Sequence, residues 1–286
     1  MPAKSIAAWS FPLLFALLAG AVRSYGQPAG ATPATLSPAQ AQAYVNHALA
    51  NEVYAAEGHN LPMQFQLRRS SPRLTTTKTI IETSDGDVAR LISVNGKPLS
   101  AAAEDKEIAR LNGLLSDPSQ QLHRKQSEDA DTNRALKILR ALPAAFLYKY
   151  AGAIETPGGL VEKFTFKPNP NYNPPDLETQ VLTAMAGEIW INAAADRVVH
   201  LEGRLQHGIA FGWGILGHLN KGGWIAIDQA NVGDNQWRTT RLQLEMTGRV
   251  LFFSKSYDML EATSHFKPVP VGLSYREAIK MLLSNP

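Results

Sequence analysis

Residues 185–192 read Met185-Ala186-Gly187-Glu188-Ile189-Trp190-Ile191-Asn192, residues 193–197 form a short polar turn, and residues 198–205 read Val198-Val199-His200-Leu201-Glu202-Gly203-Arg204-Leu205. Both flanking runs are rich in β-branched and aromatic residues and alternate with period two, the pattern of half-buried strands. In the second run Val199, Leu201 and Leu205 share one face, and His200, Glu202 and Arg204 share the other. A short turn between two such strands makes an antiparallel hairpin, and the chain on either side repeats the pattern.

Upstream, Met63, Phe65 and Leu67 alternate with Gln64, Gln66 and Arg68. Leu74–Glu82 reads as a second strand, Asp85-Gly86 as a hairpin turn, and Val88–Val94 as a third strand closed by Asn95-Gly96. Val161–Phe166 reads as a strand, and the proline-rich residues 167–175 as a loop, since proline cannot donate to a ladder. Downstream, Trp224–Gln229, Arg241–Thr247 and Val250–Ser256 continue the meander. No βαβ rhythm occurs, so the sheet is expected to be antiparallel.

Helices bracket the strands. Ser37 is an N-cap, Pro38 fits the first helical position, Gln40 completes a capping box and Gly58 is a stop. A second capping box, Ser274 with Glu277, opens a C-terminal helix carrying Ala278, Ile279, Leu282 and Leu283. Residues 100–142 form a helical insertion whose middle is almost wholly polar, which reads as a solvated, protruding arm. The expected fold class is therefore α+β. A strongly curved antiparallel β-sheet, a half-barrel of about 8–10 strands, holds helices on its concave side and carries a helical insertion.

The first residues read as an export signal. Lys4 precedes an apolar run that ends in the small residues Ala19-Gly20-Ala21, and this run is shorter than the ~20 residues a spanning helix needs. The expected organisation is a signal over residues 1–26, a flexible Pro/Ala/Gly spacer over 27–36 and one domain over 37–286. Loss of Lys4 and Arg23 with the signal leaves 26 basic against 25 acidic residues, a net charge of +1. A near-neutral chain argues against nucleic acid as a partner. The sequence has no cysteine, which removes disulfides, thiolate metal sites and a lipidated N-terminal cysteine together. The expected product is a monomer in the periplasm that does not span the membrane once the signal is cleaved.

Motifs that suggest chemistry fail on context. Gly212-Trp213-Gly214-Ile215-Leu216-Gly217 matches a dinucleotide fingerprint, but Lys221-Gly222-Gly223 and a strand follow where a helix is required. Ser264-His265-Phe266-Lys267 runs directly into Pro268 and Pro270 and has no companion motif of an acylating serine enzyme. None of the seven histidines has metal-ligand spacing. The expectation is no enzyme, no catalytic residue, no metal and no cofactor. What remains is apolar. Residues 209–219 combine glycines with large hydrophobic side chains, and Trp190, Trp213, Trp224 and Trp237 fall within one short stretch. Trp190, Phe211, Trp213, Leu216 and Trp224 are the candidate ligand-binding residues, with core packing as the alternative.

The segment Met185–Asn192 with Asp196–Gly203 resembles bacterial outer-membrane lipoprotein-sorting proteins and their half-barrel relatives, with Asn192 where aspartate is usual. The stretch from Phe166 to Gly217, with Gly248-Arg249, also resembles a set of exported bacterial proteins of uncharacterised function. The first resemblance implies a concave apolar face that holds acyl chains without covalent chemistry. The reading is thus a carrier or chaperone of lipid, lipoprotein acyl chains or another apolar ligand. An envelope scaffold using residues 100–142 and a hydrolase are the alternatives.

Overall fold

The computed structural model describes residues 36–211, 217–250 and 253–284. The expected signal, nearly all of the spacer, and the candidate residues Trp213 and Leu216 lie outside the described residues. Along the chain run α1 (Pro38–Tyr54), β1 (Met63–Ser70), β2 (Thr75–Ile81), β3 (Val88–Val94), β4 (Lys97–Pro98), α2 (Ala101–Ser116), α3 (Pro118–Ala145), β5 (Phe146–Thr156) and β6 (Gly159–Pro168). There follow β7 (Met185–Asn192), β8 (Arg197–Leu205), β9 (Ile209–Phe211), β10 (Gly217–Leu219), β11 (Trp224–Asn231), β12 (Trp237–Val250), β13 (Phe253–Pro268) and α4 (Tyr275–Ser284).

The strands form one 13-stranded sheet in the order β4-β3-β2-β1-β13-β12-β11-β8-β7-β6-β5, with the short β9–β10 ladder hung on β12. The ladders are antiparallel and the path does not close, as expected for a half-barrel. The count exceeds the expected eight to ten for two reasons. β4, β9 and β10 hold only two or three residues each, too few to show alternation. β5 begins in the apolar run at Phe146, which the sequence presents as the end of the insertion.

The curvature follows from which side chains meet. Phe65 of β1, Phe266 of β13, Met246 of β12, Ile225 of β11, Leu201 of β8, Met185 of β7, Phe166 of β6 and Phe146 of β5 all line a single cavity. Eight flat strands would span roughly 34 Å at ~4.8 Å spacing, so these residues meet only because the sheet coils around them. Register shifts at Gln64/Gln66, Tyr150/Gly152, Trp190/Ile191 and Asp228/Gln229 bend the strands. Gly187 lets β8 approach, since a Cβ there would stand 1.8 Å from the Glu202 carbonyl oxygen.

Two apolar cores result. The larger packs α1 (Ala41, Val45, Ala48, Leu49) and the end of α3 (Leu142, Ala145) onto β5–β8, where Phe164, Ile189, Ile191 and Leu205 are buried. α1 is capped as expected, with Ser37 and Gln40 in a reciprocal box. The smaller core joins Ile81 and Val88 to Leu111 and Leu114 of α2 and to Ala278, Ile279 and Leu282 of α4. Buried Arg90 of β3 donates to the Leu282 carbonyl and to Glu104, tying α4 and α2 to the sheet.

The insertion is not a protruding arm. α2 runs along the open edge of β3, where Glu107 accepts from the Leu91 N–H at 2.7 Å and Arg110 donates to the Ala89 carbonyl at 2.6 Å. These side chains satisfy backbone groups that an edge strand otherwise presents to other chains. α3 starts over the β2–β3 turn, where Gln121 donates to the Asp85 and Gly86 carbonyls, and its far end returns to the larger core. Only its middle is solvated, with the pairs Arg124–Glu128 and Lys125–Asp129 on its surface.

The β2–β3 turn carries a charge under strain. Burial raises the Asp87 carboxyl from 3.8 to about 7, and the neighbouring Glu128 and Glu82 add to the rise. Glu128 also accepts from the Asp87 backbone N–H at 2.9 Å. Between about pH 4 and pH 7 the unfolded chain has released this proton and the folded chain keeps it, so stability falls as the pH rises through that window. The loss is at most roughly 4 kcal/mol and is complete above pH 7. Asp87→Asn is expected to raise the melting temperature at pH 8, with a gain that shrinks toward pH 5. An equal effect at both pH values in thermal melts would contradict this account.

Candidate ligand cavity

α1 crosses the concave face of the sheet and is fixed there by polar side chains on its buried side. Gln42 donates to the Pro143 carbonyl at 2.9 Å and accepts from the Tyr148 N–H at 3.2 Å, so it clamps the junction of α3 and β5. Asn51 donates to the Asp196 carbonyl in the β7–β8 turn at 3.0 Å. Glu52 takes Arg197 in a fork, at 2.8 Å from Nε and 3.0 Å from Nη2. The same carboxylate accepts from the Val198 N–H at 2.9 Å and the Gln229 amide at 3.1 Å.

Beside α1 lies a cavity of about 740 Å³. Its apolar walls include Leu49, Ala55 and Ala56 of the first helical segment, Ile138, Leu139 and Leu142 of α3, and Phe65, Phe166, Leu201, Ile225, Ile227, Met246 and Phe266 of the sheet. Phe65 and Phe266 stack on the far side with ring centroids 5.5 Å apart. By register Leu242 and Leu244 share the face of Ile227 and Ile225, and Met259 stands opposite Leu244, so the apolar surface continues past the cavity. The polar groups are gathered: Glu52, Arg197, Gln229, Thr239, Arg238, Glu82 and Asn60. Gln229 and Thr239 are register partners, which joins the Glu52–Arg197 group to the Arg238–Glu82 group.

The candidate residues from the sequence fall elsewhere. Trp190 stands between Ile189 and Ile191, both fully buried on the inner side, and faces outward. Its ring lies 4.8 Å from that of His200, Lys163 Nζ sits 4.4 Å above it, and its Nε1 donates to Glu188 at 2.9 Å. Trp224 precedes the cavity-lining Ile225 and packs instead against Arg204, at 5.7 Å. Phe211 is half-buried and packs against the larger core. Among the described residues, the tryptophan that reaches the cavity is Trp237, which is buried beside Arg197 and donates to Asn235 at 3.1 Å.

The register shift at Trp190/Ile191 also divides β8 differently from a strict alternation. Val198 is buried against the cavity, and Val199, expected to share a face with Leu201, lines a second hollow of about 620 Å³. That hollow holds His200, whose Nδ1 lies 2.6 Å from Asp228, together with Trp190, Asn192, Asn231 and Asn235. The hydroxyl in its lining, Thr156, donates to the Gly159 carbonyl at 2.8 Å. Among the described residues no group of three His, Asp or Glu side chains is placed to hold a metal. Among the same residues no helix is long and apolar enough to cross a membrane.

No family model and no curated protein matches the sequence. Two solved structures are similar in arrangement. One is described as an outer membrane lipoprotein-sorting protein domain from Vibrio parahaemolyticus, at 13% identity and a TM-score of 0.30, covering 87% of this chain and 100% of that one. The other is a DUF1329 family protein from Desulfovibrio piger, at 10% identity and a TM-score of 0.27, covering 82% of this chain and 95% of that one. What the chain does has to be read from its own cavity.

Glu52 was not visible as a functional residue because its partners lie 145 and 177 positions away. Its removal tests how the cavity is held. Arg197 and Glu52 are both buried, and breaking a buried pair costs about 3–5 kcal/mol, because the remaining charge loses its partner. Glu52→Ala is expected to lose that much in urea denaturation. A loss under about 1 kcal/mol would show that α1 is held by its apolar face alone.

Proposed function

We propose that this chain is a non-catalytic carrier that holds lipid, lipoprotein acyl chains or another apolar ligand in the concave cavity, and that it works in the periplasm after export. One observation carries the reading: the curled sheet encloses an apolar hollow that its own side chains leave unfilled. Its size falls within the roughly 300–1,000 Å³ typical of small-ligand sites, and such sites are mostly apolar with a few convergent polar groups. An unfilled apolar volume costs stability, which a bound apolar molecule restores by displacing water from the walls. The helical insertion supports this reading over a scaffold role, since Ala135, Ile138 and Leu139 form part of the wall.

The test fills the hollow from within. Leu201 lines the cavity at the middle of β8, between Ile189 and Ile227 by register. In a packed core a larger side chain costs about 1–3 kcal/mol, but in a hollow it finds room. Leu201→Trp is therefore expected to keep wild-type stability in urea, within about 1 kcal/mol, while capture of a fluorescent fatty-acyl probe falls at least about tenfold. Native mass spectrometry of the wild-type protein should show extra, extractable mass. A clean apo mass together with no probe binding would sink the carrier reading.

A further inference from the structure

The two Arg–Glu pairs at the polar end of the cavity look alike in sequence but differ in how far the protein satisfies them. Arg197 is held in a fork. It meets Glu52 through two bonds, and the Val198 N–H and Gln229 complete that carboxylate. Such a forked pair, with its carboxylate fully bonded, is a fastening between helix and sheet.

Arg238 is not saturated. Its Nη2 donates to the Leu61 carbonyl and reaches Glu82 only at 3.3 Å. Its Nε–H is buried with no hydrogen-bond partner. A buried donor left in this state is costly, and a guanidinium more so than a neutral group. Burial raises the Glu82 carboxyl above its ordinary range, against the pull of Arg238 and the Met63 N–H. A cation with an unmet donor therefore stands at one end of a hollow whose remaining walls are apolar.

We propose that the cavity takes a single-chain amphiphile with a carboxylate head, and that Arg238 receives the head while the alkyl chain lies along the apolar walls. This rests on the carrier reading above. The Arg238 side chain turns so that its buried Nε–H, with one Nη, meets the carboxylate in the parallel fork that a planar guanidinium favours, which removes the unmet donor. Thr239, Gln229 and Asn60 stand at the same end as further hydrogen-bonding groups. Phe65 and Phe266 flank the start of the chain, and Leu139, Leu201 and Ile225 enclose the rest.

The experiment compares hexadecanoate with hexadecanol, which share a chain and differ in charge, by displacement of a neutral fluorescent probe from the purified protein. Hexadecanoate is expected to bind at least about tenfold more tightly, equivalent to 1.4 kcal/mol. Arg238→Gln is expected to abolish that preference, and its urea midpoint shows that the variant is folded. Arg238→Lys, which keeps the charge without the fork, should retain only part of the preference. Equal affinity of the wild-type protein for the two ligands overturns the inference and leaves the carrier reading standing. So does a preference that survives in Arg238→Gln. If neither ligand displaces the probe, both readings fail.

Discussion

The carboxylate of Glu52 is the constraint on which the arrangement depends. One buried side chain on α1 bonds the guanidinium and following N–H of β8 and the Gln229 amide of β11. Its desolvation is tolerable because it accepts four hydrogen bonds, two of them from a cation. Apolar contact would let a helix slide or roll over a sheet at little cost, since hydrophobic burial is non-directional. The Glu52 bonds are directional, and with Gln42 and Asn51 they fix α1 at three points along its length. The helix thus lies over the β5–β8 half of the trough, with Glu52 near its end reaching Gln229 of β11.

That placement explains why a hollow remains. A helix with its side chains is about 10 Å across and covers roughly two strands at ~4.8 Å spacing. α1 and the end of α3 therefore fill the concave face over four strands, β5 to β8, and these are the strands of the larger core. β11, β12, β13 and β1 continue the same curved surface with Ile225, Ile227, Met246, Phe266 and Phe65 but receive no third helix among the described residues. α2 and α4, which could have filled the space, are engaged at β2 and β3 in a core of their own. The cavity is what two helices leave in a sheet wide enough for four.

Much of this was legible in the sequence, and the misses have physical causes. The capping box at Ser37, the Asp85-Gly86 turn and the alternation in residues 63–67 and 198–205 are local signals, and the structure carries the elements where they stand. Facing was less legible than strand identity. Period two predicts a face only while the register is unbroken, and the shift at Trp190/Ile191 moves Val198 inward and Val199 out. The surroundings of the tryptophans were less legible for a related reason. A large ring can be buried by packing on a cation as well as in a core, and Trp190 and Trp224 do so against Lys163 and Arg204. Ser264 and His265, which resembled a catalytic motif, lie on the long strand β13, where His265 has φ of 58°. The polar end of the cavity left no local trace, because Glu52, Glu82, Arg197 and Arg238 come from four separate parts of the chain.

The division of labour between walls and polar end follows from the range of each force. Apolar walls reward any apolar surface in proportion to its area, so they supply affinity with little choice among ligands of similar size. Hydrogen bonds and charge depend on direction and are strengthened where water is excluded. Gathering every polar group at one end therefore gives the hollow an orientation that its walls cannot give. It also separates two uses of the same chemistry. Arg197, forked to Glu52, holds the helix that forms the hollow. Arg238, with a buried donor left over, stands at the polar end of the hollow.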